Sequence, residues 1–383
     1  MTTKTEAIDQ LRTAFQAKKL TLYLGAGVSI GSNLPSWDKL VLGMYFNKIS
    51  EAHMGGWRPF SNYLYAISEW YLKTAGEPLE ITARKLQKFY GTGDRNTFLQ
   101  DLYDTLYGNF FQDGERLGYI NSRFIRAKNP TLKAIARLCQ APNRGVANVV
   151  TYNYDNLLEM VLTGLAYQTV FRATELVGDA LPIYHVHGFV PMEQGIPHST
   201  GEEIVFTEEE YHRVAESPFY WSNLIQLQLL SSTTGLMVGL SLSDRNMRRI
   251  LDAIDNSPLK SQNFALLKEP DKNGPEAAIL DAIHTSAKSY RDRCDRGGIK
   301  RDDWVEGSGK VRIGSSNVEP PTRTRRAGVK RAGNYQYEIS GIIQQVKKID
   351  REQQEYVLGQ LGVTPIWIKD YSEIPGIIAK ILQ

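Results

Sequence analysis

Apolar positions fall at Ile8, Leu11 and Phe15, three and four residues apart, so the beginning of the chain predicts one face of an amphipathic helix. An unbroken apolar run from Leu20 to Leu24 follows and has the length of a buried strand. Comparable runs return at Val146 to Thr151, Thr169 to Arg172, Ile183 to His187, Leu236 to Leu240, Phe264 to Leu267 and near Thr364 to Ile368, with helical stretches between several of them. That alternation predicts an α/β fold built on a Rossmann-like, largely parallel sheet. In such sheets ligands bind beyond the carboxyl ends of the strands.

Two stretches interrupt the alternation. From Trp37 to Cys139 the pattern is helical and rich in aromatics, among them Trp57, Tyr63, Tyr65, Trp70, Tyr71 and Phe89, which predicts an inserted helical module whose rings fill a packing core. Residues 286–334 are rich in Gly, Arg, Ser and Pro, with Pro320-Pro321 and the cluster Arg323, Arg325, Arg326, Lys330, Arg331, and are expected to form a flexible basic insertion. After it come a helical stretch from Ile339 and a closing helix from Glu373. The uncharged stretch Trp221 to Ser243 is broken by Gln226, Gln228 and Ser231-Ser232-Thr233-Thr234, so it predicts a helix end, a loop and a buried strand, not a membrane span.

A chain of 383 residues has ample material for a core, and a net charge of +3 argues against wholesale coating of nucleic acid. With Cys139 and Cys294 as its two cysteines it can build neither a disulfide framework nor a four-thiolate zinc module, which suits a reducing compartment. The polar opening MTTKTEAIDQ lacks the apolar core of a signal peptide, so the expected location is cytoplasmic.

Candidate chemistry lies where the strands end. Leu20 to Leu24 breaks into Gly25-Ala26-Gly27, where missing side chains let backbone N–H groups approach a phosphate, although the spacing to Gly31 departs from GxGxxG. Val149 to Asn156 sets Asn153 and Asp155 at a strand exit; Asp155 either caps the next helix or faces a ligand. Ile183 to Gly188 carries His185 and His187, which strand alternation puts on one side of the sheet. No third ligand follows with metal-site spacing, and His187, next to the strand end, is the better acid or base. Gly235 to Asp244 ends in hydroxyls and a carboxylate that either hold a ribose or adenine edge or cap a helix before Met247.

Taken in order, the glycine loop, TYNYD, HVHG and GLSLSD resemble the sirtuin-like superfamily, in particular its zinc-free bacterial branch of NAD+-consuming defence effectors. The resemblance covers roughly residues 18 to 40, 144 to 268 and the last strand and helix. It implies that Gly25, Ala26, Gly27 and Ser29 cradle the phosphates, with Leu34-Pro35-Ser36-Trp37 standing where the family has a glycine-proline segment and an aromatic. Asn153 then orients water near the nicotinamide ribose, Asp155 binds the carboxamide and His187 is the catalytic histidine. Gly239 and Ser241 hold the adenosine side, with Asp244 closing that loop. Paired cysteines and the arginine after the early proline, features of deacylating members, are absent; Trp37-Asp38-Lys39 stands there.

The expected organisation is one domain over 1–383 carrying the helical module 37–139 and the basic insertion 286–334. The expected activity is an NAD+ glycohydrolase, with NAD+ as substrate, no metal and no membrane partner. The resemblance further implies a homo-oligomer and a separately encoded activator such as a HerA-like hexameric ATPase. The alternatives are a non-catalytic NAD+ or ADP-ribose sensor, or a nucleic-acid-binding subunit acting through Arg323 to Arg331. Hydride transfer is disfavoured, because no acidic residue stands where a dinucleotide fold grips the adenosine ribose.

Overall fold

A computed structural model describes residues 2–54, 70, 76, 78–90, 95–117, 122–173, 178–193, 195–217, 219–255, 262–269 and 345–383. The strands are β1 (Leu20–Leu24), β2 (Val146–Thr151), β3 (Tyr167–Val170), β4 (Leu181–His185), β5 (Thr234–Val238), β6 (Asn263–Lys268) and β7 (Val363–Ile368). They pair in the order β3-β4-β2-β1-β5-β6-β7, and every neighbouring pair is parallel. The fold is therefore α/β and Rossmann-like.

The helices used below are α1 (Lys4–Gln16), α2 (Trp37–Met54), α3 (Leu79–Tyr90), α4 (Arg95–Leu117), α5 (Ser122–Lys128), α6 (Pro130–Cys139), α7 (Leu157–Val161), α8 (Glu208–Glu216), α9 (Trp221–Ser232), α10 (Arg245–Asp255) and α11 (Ile374–Leu382). Strand alternation divides the buried side chains into two apolar layers. Leu20, Leu22 and Leu24 join Ile8, Leu11 and Phe15 of α1, Ile135 and Leu138 of α6, and Ile374, Ile377, Ile378 and Ile381 of α11. Tyr23, Val150, Tyr184 and Met237 point the other way and meet Leu229 and Leu230 of α9 and Met247, Ile250 and Leu251 of α10. Cover on both faces is why β1 is buried at every position, with leucines and Tyr23 around a single polar residue, Thr21, whose hydroxyl pairs with that of Thr233 at 2.8 Å.

The helical stretch after Trp37 contains α2 to α6. The described aromatics divide: Phe98 meets Tyr90 and Phe206 edge-on at 5.5 Å each, as a packing core requires, but Phe89, 6.3 Å from Tyr45, is 40% exposed and Trp70 is 66% exposed, so these two do not fill the core expected of them. Trp57, Tyr63, Tyr65, Tyr71, Cys294 and the whole of 286–334 lie outside the described residues. Met1–Lys268 with Leu358–Gln383 form one compact unit and Glu269–Val357 a second, whose described part is Glu269 and a helix that begins at 345.

Two expectations about boundaries are corrected. Strands β3, β4 and β5 begin two residues before the runs Thr169 to Arg172, Ile183 to His187 and Leu236 to Leu240, because the ladder pairs Tyr167 with Leu181 and Leu20 with Thr234. The apolar residues left beyond the strand ends are packed by loops instead: Val186 is buried, and Leu240 would touch any Cβ added at Gly25. In Trp221 to Ser243 the expected loop shrinks to Thr233. Ser231 and Ser232 stay helical by returning their hydroxyls to the Gln228 carbonyl at 3.0 and 2.6 Å.

From β1 the chain passes to β2 on one side, while β5 lies on the other. The crevice at the carboxyl ends of β1 and β5 is thus the topological switch point where ligands of open α/β sheets bind. Leu22 sits at the centre of this arrangement with no exposed surface. Leu22→Ala is expected to cost about 2–5 kcal/mol, read from urea denaturation against the parent chain.

Candidate functional site

After Leu24 the chain makes a 3-10 turn over Ala26–Val28. The Gly25 N–H donates to Val238 O and the Gly27 N–H to Gly239 O, both at 3.0 Å, while the Val28 N–H closes the turn on Gly25 O. Gly239 has φ +70, and a Cβ there would lie 2.6 Å from the Val28 nitrogen; one on Gly27 would lie 2.6 Å from the Gly239 Cα. The glycines thus let two loops touch. The N–H groups of Gly25, Gly27 and Val28 are thereby engaged within the protein.

The turn delivers Ser29 to a buried position facing the exit of β2. Asn153 Nδ2 donates to Gly25 O at 3.2 Å and to Ser29 Oγ at 3.1 Å, and Ser29 Oγ donates to Asp155 Oδ2 at 2.8 Å. The other carboxyl oxygen of Asp155 accepts the Leu157 N–H at 3.1 Å, which is the helix-capping role the sequence offered for this residue. Burial pushes the Asp155 carboxyl from 3.8 up to about 6, the nearby Glu159 carboxylate adds to the rise, and the Ser29 and Leu157 hydrogen bonds oppose it.

His187 lies in the turn past β4, ahead of Gly188 at φ +108. Its ring stands edge-on to Tyr152 at 5.1 Å and to Tyr211 at 5.3 Å. Nε2 is 3.7 Å from Asp244 Oδ2, while Asp244 Oδ1 caps α10 by accepting the Met247 N–H at 2.7 Å. Burial lowers the imidazole below its usual range and the Asp244 charge pulls it back up, so near neutral pH the ring is mostly the neutral form that accepts a proton. Beyond Gly239 the exposed Ser241 shares a 2.6 Å hydroxyl contact with Ser243.

Residues 147–287 match the SIR2-like domain family. The chain is also similar to Defense-associated sirtuin 2 of Bacillus subtilis, with 26% identity over 251 residues, which is 64% of this chain and 20% of that protein. Over residues 147–287 the chain is thus similar to a SIR2-like domain. It spans about a fifth of the length of that curated relative.

The fold brings Gly25, Ser29, Asn153 and Asp155 into one hydrogen-bonded group and sets Gly27 against Gly239. His187 and Asp244 form a second group joined to β2 through the Tyr152 ring. Ala26 lies in the glycine turn, half-buried, and Ser241 faces solvent. His185 and His187 do not share a face as strand alternation implies. β4 ends at His185, whose partners are Asn153 O and Glu159, so alternation stops before His187. Among the described residues no group of three or more His, Cys, Asp or Glu is placed to hold a metal, and no helix is long and apolar enough to cross a membrane.

Three residues escaped the sequence reading. Asn129 supports the glycine turn from beneath, donating from Nδ2 to Val28 O at 2.7 Å and to Ser32 Oγ at 3.1 Å, while its Oδ1 caps α6 at Leu132. An Asn before Pro at a helix start was the available signal. Tyr211 on α8 and Glu159 on α7 had none, since each acts only through a partner distant in sequence.

Two outcomes test this geometry. Gly239→Ala forces a left-handed conformation and a clash on Val28, and is expected to lower stability by about 1–2 kcal/mol or more in thermal unfolding. Because the folded-state value for Asp155 is raised, its stabilising contribution is complete below 3.8 and lost as pH rises through about 6. Asp155→Asn, which cannot titrate, is expected to remove a pH-dependent term on the order of 3 kcal/mol from denaturation midpoints measured across that window.

Proposed function

We propose that this chain is an NAD+ glycohydrolase that hydrolyses the nicotinamide–ribose bond, giving nicotinamide, ADP-ribose and a proton. The observation that carries this reading is the hydrogen-bonded group Asn153, Ser29 and Asp155 beside the glycine turn, at the switch point of a sirtuin-like sheet. Nicotinamide leaves as a neutral molecule when the C1′–N bond breaks and the electron pair returns to the ring nitrogen. The site therefore has to orient the ribosyl centre, deliver water to C1′ and accept one proton.

Asn153 orients water and ribose on this reading, Asp155 binds the carboxamide and His187 takes the proton. Gly25, Ala26, Gly27 and Ser29 face the diphosphate, and Gly239, Ser241 and Asp244 the adenosine side. We read residues 1–383 as one sirtuin-like unit with a helical module at 37–139 and a basic insertion at 286–334.

The engaged N–H groups of the glycine turn support a silent resting state. A diphosphate gains the Gly27 N–H only once its bond to Gly239 O parts, while the Gly25 N–H is held by Val238 O and the Val28 N–H by Gly25 O. NAD+ depletion harms a cell, so a trigger is required, and we place the chain as an effector of bacterial anti-phage defence that acts as a homo-oligomer with a separately encoded activator such as a HerA-like ATPase. The name of its Bacillus subtilis relative supports the defence role.

Purified chain with NAD+, with and without candidate activators, is expected to release equimolar nicotinamide and ADP-ribose on chromatography. Asn153→Ala and His187→Ala are each expected to lose about 100-fold or more in rate, with little change in circular dichroism. Unaltered turnover in both would overturn the assignment.

A further inference from the structure

His185 closes β4 with no exposed surface and with both ring nitrogens committed. Nδ1 lies 3.0 Å from the Asn153 carbonyl oxygen, and Nε2 lies 2.8 Å from Glu159 Oε1. A carbonyl accepts and never donates, so Nδ1 carries a hydrogen. The second contact needs a proton as well, on Nε2 or on Oε1, because a bare nitrogen facing a bare carboxylate at that distance opposes two lone pairs. Glu159 and His185 together therefore hold one shared proton in addition to the Nδ1–H.

The pair is costly. The Glu159 side chain is 5% exposed, and its second oxygen, Oε2, is buried with no hydrogen-bond partner among the described residues. The residue lines a small cavity with Ser29, Thr151, Asn153 and Asp155. The Phe189 ring covers His185 at a centroid distance of 4.6 Å. An apolar pair of similar volume would fill this space without the desolvation penalty. What the polar pair provides is a donor fixed under the Asn153 peptide.

We propose that Glu159 and His185 are positioning residues for Asn153: Glu159 fixes the orientation of the His185 ring, and the ring holds the Asn153 carbonyl so that the side-chain amide above it keeps its register with Gly25 and Ser29. This rests on the reading of Asn153 as the residue that orients water and ribose.

Two substitutions separate the two ring contacts. In His185→Asn the side-chain amide stands near the former Nδ1 and keeps a donor for Asn153; in His185→Gln it stands near the former Nε2 and keeps only the Glu159 contact. Both are expected to melt at lowered temperatures, and His185→Asn, which leaves the buried Glu159 without its ring donor, no higher than His185→Gln. Their kinetics are expected to differ: His185→Gln loses about tenfold or more in kcat for nicotinamide release at a nearly unchanged KM, and His185→Asn recovers most of that loss. Equal kcat in the two variants, or activity that follows melting temperature alone, would overturn the proposal.

A second measurement does not depend on turnover. Nitrogen NMR of histidine-labelled full-length chain, with the His185 signals assigned by their loss in His185→Asn, is expected to show a protonated, exchange-protected Nδ1; an Nδ1 without hydrogen refutes the anchor. If the unaltered chain releases no nicotinamide with any activator, the catalytic reading of Asn153 fails, and the NMR result still decides whether the Glu159–His185 pair anchors that peptide.

Discussion

The carboxyl edge of this sheet depends on a contact that tolerates no side chain. Gly25 and Gly27 from the end of β1 press against Gly239 from the end of β5, closely enough that a Cβ on any of the three would meet backbone at 2.6 Å. Because the two loops meet there, the turn after Gly25 curls back and carries Ser29 under the exit of β2. Ser29 then links Asn153 to Asp155, and Asn129 holds the turn from below. Separate the loops and each of these distances changes together.

Desolvation acts on the two titratable groups of the edge in opposite directions with a common effect. It raises Asp155 and lowers His187, so both are displaced toward their uncharged forms. Asp244 moderates this at His187, and the Ser29 and Leu157 hydrogen bonds moderate it at Asp155. With its value at about 6 the Asp155 carboxyl still stays largely ionised near neutral pH and able to accept a hydrogen bond from a carboxamide on the proposed reading, while His187 stays neutral.

How much of this was legible in the sequence differed with the range of the interaction. β1 and β2 run over the residues that their apolar stretches indicate, because both strands are buried on two faces and flanked by polar or glycine-rich turns. β4 and β5 were displaced by two residues, since loops bury Val186 fully and Leu240 in part, and burial alone does not reveal backbone pairing. The close approach of Gly27 to Gly239 was not legible, because a pattern along one chain cannot tell a glycine kept bare for a ligand from one kept bare for another loop. The Glu159–His185 pair was hidden for a related reason, as neither residue has a local pattern and their meeting depends on β4 lying beside β2.

The placement of β1 has a consequence for how the molecule is made. Its two hydrogen-bonded neighbours, which pair Leu20 with Val146 and with Thr234, are each more than a hundred residues further along the chain. During synthesis the most apolar strand of the sheet emerges early and waits for partners that do not yet exist. Closing such long loops slows the search for native pairing and prolongs exposure of a β-prone segment. The sheet can therefore close around β1 only after β5 has been translated, although β1 is the first of its strands to be made.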